Sequence, residues 1–183
     1  MQSKLKHVCL LVVLVAVAGC GGATEKAEAP ATQAVVKAQP TPDEQVAGLE
    51  QMCAEAGPAM AARQAEATLF DRVGGRDGLQ VVVADTVRRH LVNEQIKHLL
   101  DGVDADRLTM LVTDFLVVGT GGEGEYHGRD MVQAHAHLNL SNADFLAAGG
   151  DLGASMDAAG WGDGEKQELL CAFVALRGQV VTQ

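Results

Sequence analysis

The spacing of apolar residues predicts that the chain is built mainly from α-helices. Apolar side chains recur three and four residues apart in the segments 46–53, 79–91, 108–116 and 165–181, which is the spacing of one helix face. No segment shows a convincing alternation of apolar and polar residues, the pattern of a half-buried strand. The sequence therefore predicts an all-α protein whose last helix runs from Glu165 to Val181.

Helix-ending and helix-starting residues divide the chain further. Gly74 and Gly75 end a short helix, and the glycines within 119–124 predict a flexible loop that ends at Tyr126. A short helix is expected over 131–138. Ser141 lies three residues before Asp144, which is a capping signal for a helix that runs to about residue 159.

The segment 43–67 is predicted to be a helical N-terminal extension. Its first turn carries Asp43 and Glu44, which favour a helix start. Pro58 is a favourable first-turn residue, so a second short helix is expected to follow it. Cys53 in this extension and Cys171 near the C-terminus leave two interpretations open, a disulfide bridge or two separate buried thiols.

The composition places one small domain at residues 68–183. All six aromatic residues of the 183-residue chain lie from Phe70 onward, and all four prolines precede it. The apolar content of this block, within a chain that is 48% hydrophobic, excludes gross disorder. The formal charge of −10 offers no basic surface for phosphate, so we predict no nucleic-acid binding.

The first 19 residues have the features of an export signal. Lys4 and Lys6 precede the apolar run 8–18, which is much shorter than the roughly 20 residues of a membrane-spanning helix. Residues 17–20, Val-Ala-Gly-Cys, look like the cleavage box of bacterial lipoproteins. That resemblance implies a lipid on Cys20, the alternative being that this cysteine is incidental to an ordinary cleavage site.

The lipid would then anchor the exported protein to a membrane. Residues 20–42 are rich in Ala, Glu, Thr and Pro and predict a flexible tether. Gly21 stands where the lipoprotein family has an acidic retention residue, which favours the outer membrane. We expect a lipoprotein that faces the periplasm or the cell surface, held by its lipid because the acidic chain has no basic patch.

Motifs of common enzyme classes are absent from the sequence. It contains no GxSxG, Walker, HExxH or CxxC motif, and the glycine-rich loop lacks the Lys-Ser/Thr of a phosphate site. His135 and His137 are two residues apart, so on a helix they point in nearly opposite directions and do not form a metal pair. One of them is expected to face inward.

The stretches TLFDRVGGRDGLQVVVAD, GTGGEGEYHGRDMVQAHAHLNLSNADF and ELLCAFVALRGQVV resemble the group 1 truncated haemoglobins along nearly all of 68–181. The resemblance implies a truncated globin, that is, a 2-on-2 helical sandwich that binds haem b. It implies that His135 is the proximal ligand of the haem iron, the alternative being a core histidine. The expected function is binding of a diatomic gas such as O2, NO or CO.

The same resemblance implies the residues of a haem pocket. Arg107 or Tyr126 is a candidate contact for a haem propionate, although an exposed Arg is usually just solvated. The other interpretation of the apolar positions is an ordinary helix-packing core. The predicted pocket wall consists of Val87, Leu100, Leu108, Val112, Phe115, Leu138, Phe145 and Phe173.

The distal side departs from the family pattern. Val87, preceded by Thr86, lies at the position where the family usually has a Tyr preceded by Phe. Leu100 lies at the position of a family Phe, and Val112 at the position of a family Gln. Without these polar groups we predict weak, rapidly released and oxidation-prone O2 binding, with CO and NO binding relatively spared. A nitric oxide dioxygenase activity is therefore left open.

Two further functions are compatible with the sequence. His90 and His98 are candidates for a second iron ligand, and such a bis-histidine haem would suit electron transfer to a redox partner that the sequence does not identify. A haem-less globin-like interaction or sensor module is the alternative, in which the altered pocket marks a lost site.

Overall fold

A computed structural model describes residues 38–183, which form one compact unit. The predicted signal segment, Cys20 and all but the end of the predicted tether lie outside the described residues. The helices are α1 (Pro42–Glu66), α2 (Leu69–Arg72), α3 (Gly75–His90), a 3-10 helix (Lys97–Leu100), α4 (Ala105–Gly119), α5 (Met131–His135), α6 (Asn142–Ala158), α7 (Asp163–Ala175) and α8 (Arg177–Val180).

Two pairs of helices, α3 with α4 and α6 with α7, make up the body of the fold. The two pairs meet where α3 packs against α6. The described chain has no strand, and its β-type pairing is a single bridge between Leu140 and Val181. These observations confirm the predicted all-α, 2-on-2 arrangement. Within the described range, no helix is both long and apolar enough to cross a membrane.

The core lies where α2, α3, α4, α6 and α7 meet. Leu79 and Met156 are completely buried there, and Leu169 is 1% exposed. Each such side chain contributes about 1.5–3 kcal/mol of hydrophobic stabilisation relative to an exposed one. Phe70, Trp161 and Phe173 are partly buried and pack against the same cluster.

The backbone conformation explains why glycines occupy positions 74 and 75. Gly74 has a φ of 86° and Gly75 a φ of 67°, both in the left-handed region that other residues rarely adopt. The pair turns the chain from α2 into α3 and lies against the ring of Phe70, the closest ring atom being 3.4 Å from the position of a Cβ on Gly75. Both glycines are therefore needed for this turn.

The structure corrects three helix boundaries. Helix α5 ends at His135, three residues before the predicted end at residue 138. Helix α1 continues through Pro58, where the sequence predicted a new helix. The carbonyl that loses its hydrogen bond to this proline is that of Ala54, and both residues are exposed, so water can solvate it. The last predicted helix is divided at Leu176, whose N–H donates to the Phe173 carbonyl at 3.0 Å and tightens the turn between α7 and α8.

Helix α1 is joined to α7 by covalent and ionic contacts. Cys53 and Cys171 form a disulfide with a Cα–Cα distance of 5.4 Å, which decides between the two interpretations of the cysteines. Near the other end of α1, Arg63 Nε donates to Glu168 Oε1 at 2.7 Å. Glu168 is only 6% exposed and also pairs with Arg72 of α2, so one carboxylate links three helices.

Candidate functional site

The loop that leads to the predicted iron ligand is ordered by its tyrosine. The Tyr126 hydroxyl donates to the Arg129 carbonyl at 2.9 Å, and its ring packs edge-on against Phe115, with centroids 5.3 Å apart. Burial raises the pKa of the Tyr126 phenol, which keeps this donor protonated. A Cβ at Gly128 would collide with the tyrosine ring, so this glycine makes the close contact possible.

Helix α5 begins directly after this loop and carries His135 in its last turn. Asp130 caps the helix, its Oδ1 accepting from the Gln133 N–H at 2.7 Å. The Nδ1 atom of His135 lies 2.8 Å from the Met131 carbonyl oxygen, one helical turn earlier. Because a carbonyl only accepts, Nδ1 carries the proton and Nε2 of the neutral ring keeps its lone pair.

The two neighbouring histidines differ in exposure as the sequence predicts. His135 is half-buried and His137 is exposed. A neutral imidazole whose Nδ1–H is held by a backbone carbonyl is the usual form of a histidine that binds a metal through Nε2. The donor chemistry of His135 therefore fits a ligand of haem iron. The four-residue spacing between Met131 and His135 on one helix is the sequence signal that identifies this acceptor.

The chain after His135 is fixed by the C-terminal tail. Asn139 adopts a left-handed backbone with a φ of 50°, which turns the chain toward α6. The Leu140 carbonyl then accepts from the Thr182 N–H at 3.0 Å. Helix α5 also packs against α8, so the segment that carries His135 is held by the last residues of the chain.

All eight predicted wall residues are buried or half-buried. Val87 on α3 and Phe145 on α6 are 5% and 3% exposed, and the other six are half-buried. Phe145 and Phe173 stack at 4.3 Å between ring centroids, which brings α6 and α7 together at this point. Half-burial of apolar side chains suits a wall for a large flat ligand, and it equally suits the edge of a helix-packing core.

The distal positions offer no obvious hydrogen-bond donor. Val87 is buried and Val112 half-buried. The nearest polar substitute, the Thr86 hydroxyl, donates to the Val82 carbonyl of its own helix at 2.8 Å. Thr113, which follows Val112, likewise donates to a carbonyl of its own helix, that of Thr109, at 2.8 Å. Both hydroxyl protons are therefore already engaged.

His90 and His98, the candidates for a second iron ligand, have different surroundings. His90 Nδ1 lies 2.8 Å from Asp151 Oδ2, which also accepts from Asn93 Nδ2 at 2.9 Å. No local pattern marks Asp151, which is 61 residues away in sequence, so sequence reasoning missed this partner. His98 is exposed on the 3-10 helix. A role for either histidine at iron stays a prediction.

The two candidate propionate contacts, Arg107 and Tyr126, differ in exposure. Arg107 is exposed on the first turn of α4, and the hydroxyl of Tyr126, the other predicted propionate contact, is engaged with a backbone carbonyl.

A cavity of about 230 Å³ lies between α3 and α4, and one of about 330 Å³ lies beside Trp161. Neither cavity is lined by His135 or by a predicted wall residue.

Comparisons with known proteins agree with this geometry. A family model described as bacterial-like globin matches residues 68–182. The chain is similar to a group 1 truncated hemoglobin of Tetrahymena pyriformis, with 32% identity over 93 residues, which covers 51% of this chain and 77% of that protein. It is 31% identical over 121 residues to a group 1 truncated hemoglobin of Mycolicibacterium paratuberculosis, covering 66% of this chain and 89% of that protein.

A solved structure gives the same result for the fold. The crystal structure of truncated hemoglobin from Tetrahymena pyriformis in its Fe(III) form matches with a TM-score of 0.59 and 27% identity. The match covers 63% of this chain and 99% of that one. The part of this chain that precedes residue 68, including α1, lies outside the family match.

Proposed function

The chain belongs to the bacterial-like globin family, as a group 1 truncated haemoglobin, and we propose that it binds O2, NO or CO at the iron of haem b held by His135. The observation that carries this proposal is the hydrogen bond between His135 Nδ1 and the Met131 carbonyl. It holds the ring and leaves Nε2 as the ligand atom. Haem bound by His135 would supply an iron that can bind the gas.

The residues of this chain then determine how the gas is held. Val87, Leu100 and Val112 surround the predicted distal side with aliphatic groups, and the Thr86 hydroxyl is engaged with a backbone carbonyl. A charge-assisted hydrogen bond to bound O2 is worth about 1.5–3 kcal/mol, which corresponds to roughly ten- to a hundredfold in affinity. We propose that O2 dissociates fast for this reason, while CO and NO, which depend less on such a bond, are retained better.

Purified protein supplied with haem tests the proposal. We expect a Soret band at one haem per chain, and His135→Ala should abolish or strongly change it. His137→Ala is the matched control, because His137 is exposed and lies two residues away. If no Soret band forms, or if the His135→Ala spectrum equals that of the wild type, the proposed ligand is wrong. The first of these results would favour the haem-less interaction module.

The spectrum without added gas also tests electron transfer through a six-coordinate haem. A low-spin spectrum of the ferrous protein that is lost in His90→Ala or His98→Ala would indicate bis-histidine ligation and favour a redox role. We propose five-coordinate ferrous iron with an open gas site. His90→Ala is the sharper of the two variants, because the contact of His90 Nδ1 with Asp151 leaves Nε2 of that ring as a ligand atom. A high-spin ferrous spectrum is the expected result.

We further propose that the protein is exported and anchored by a lipid on Cys20. The support is the sequence alone: two lysines, an apolar run of about eleven residues and the Val-Ala-Gly-Cys segment. The proposed destination is the outer membrane. Incorporation of a labelled fatty acid in the bacterial host should be lost in Cys20→Ala, whereas an unlabelled wild-type chain would contradict the anchor.

A further inference from the structure

Helix α1, which lies outside the family match, is fastened to α7 along its length. Cys53 is bonded to Cys171, and near the C-terminal end of α1 Arg63 pairs with the buried Glu168 at 2.7 Å. Cys171 is 7% exposed, whereas Cys53 is only half-buried. A reductant from solvent would therefore reach the disulfide from the side of α1.

The face of α7 opposite the disulfide reaches the predicted haem pocket. Phe173 follows Cys171 by two residues, and positions i and i+2 of a helix point about 200° apart. Phe173 stacks on Phe145 at 4.3 Å and lies over Gly149, where a Cβ would be 3.0 Å from its ring. The ring has little freedom on the α6 side, so the position of α7 decides where Phe173 lies.

The continuation of α7 reaches the helix that carries His135. Arg177 at the start of α8 donates to Asn142 Oδ1 of α6 at 2.7 Å and pairs with Glu50 of α1 at 3.4 Å. Helix α8 packs against α5, and the tail after α8 bonds to the Leu140 carbonyl. Thus α1 contacts, directly or through α8, the elements that carry Phe173 and His135.

We propose that the Cys53–Cys171 disulfide is a redox-sensitive clasp that controls how firmly the chain holds its haem, an inference that rests on the proposed haem function. A dithiol of the thioredoxin class reduces the bond, forming two cysteine thiols here while the dithiol becomes a disulfide. Without the disulfide, α1 stays attached through Arg63 and Glu168 but is held less firmly against α7, which loosens Phe173 and the α8 support of α5. The chain stays folded because the Glu168 ion pairs and the hydrophobic core remain.

Haem transfer to an excess of a haem-free acceptor globin tests the clasp. The full-length ferric holoprotein is compared before and after treatment with dithiothreitol, which is removed before the assay, and peptide mapping verifies the state of the Cys53–Cys171 bond. We expect haem loss about tenfold faster after reduction, the equivalent of about 1.4 kcal/mol. Reoxidation should restore the slow rate.

The control variant is Cys53→Ala/Cys171→Ala, which should lose haem at the rate of the reduced wild type and be unaffected by dithiothreitol. Its far-ultraviolet circular dichroism should match that of the oxidised protein. Equal rates for the oxidised and reduced wild type overturn the clasp while leaving the haem function intact. Global unfolding on reduction also overturns it, because the bond would then be a general stabiliser. Absence of a Soret band in both states instead refutes the proposed haem function.

Discussion

Glu168 provides a quantitative test of how the N-terminal extension is joined to the globin domain. Its carboxylate accepts from Arg63 Nε at 2.7 Å, from Gln64 Nε2 at 2.9 Å and from Arg72, while being 6% exposed. Glu168→Gln keeps the shape and one acceptor but removes the charge. Two guanidinium groups then share one neutral oxygen, and the new amide donors face cations.

The size of the effect follows from these contacts. A hydrogen bond between a charged pair contributes about 1.5–3 kcal/mol, and breaking a buried pair costs more than an exposed one. Arg63 is 30% exposed and keeps Gln167 as a partner, and Arg72 keeps Glu165, so the loss should not exceed the lower end of the roughly 3–5 kcal/mol that breaking a buried pair costs. The predicted loss is about 2–3 kcal/mol for the whole substitution.

Urea unfolding of the disulfide-bonded protein measures this loss. With a slope of about 1–3 kcal/mol per molar, the midpoint should fall by roughly 0.7–3 M without a change of slope. Glu165→Gln is the matched control, because Glu165 is 23% exposed and shares Arg72 with Glu168. It should cost less than about 1 kcal/mol. Equal midpoints for the two variants would refute the special role of the buried carboxylate.

Three other predictions follow from single contacts. The Arg89 guanidinium, and then that of Arg88, lower the pKa of Asp85 from 3.8 to about 2, so its ion pairs stabilise the fold above pH 4 and lose this effect as the pH falls toward 2. The difference in unfolding midpoint between wild type and Asp85→Asn should therefore shrink over that window, and a constant difference would contradict it. Gly122→Ala places a Cβ 2.7 Å from a ring carbon of Phe70 and 2.9 Å from a methyl of Val117, which should cost about 1–3 kcal/mol in thermal or urea unfolding. Gly119→Ala, with nothing within 4 Å, should change stability by no more than about 0.5 kcal/mol. Val112→Gln adds a donor on the predicted distal side and should slow O2 dissociation about tenfold in stopped-flow measurements while leaving CO dissociation within about twofold, and an unchanged O2 rate would show that Val112 does not face the gas.

Local signals in the sequence predicted most of the helical framework. Ser141 caps α6 through its own hydroxyl, with Asp144 completing the capping box, as the three-residue spacing indicated. The Gly74-Gly75 turn and a short helix that begins at Met131 were predicted as well, because each depends on neighbouring residues, although that helix ends at His135 and not at residue 138. Pro58 misled the prediction because a solvated carbonyl permits a proline inside α1.

Contacts between distant residues could not be predicted in the same way. No local pattern in the sequence distinguishes Glu168 from other acidic residues, yet its carboxylate forms ion pairs with Arg63 and Arg72 of two other helices. Asp151 meets His90 across 61 residues. The pairing of Cys53 with Cys171 was one of two interpretations until the packing of α1 on α7 placed the two sulfur atoms together.

Resonance Raman spectroscopy of the ferrous protein without gas shows whether Nε2 of His135 binds haem iron. The wild type should show an iron–histidine stretching band. His135→Gly should lose this band and regain it when imidazole is added to fill the cavity. A band that persists unchanged in His135→Gly would contradict the account, because another residue would then hold the iron.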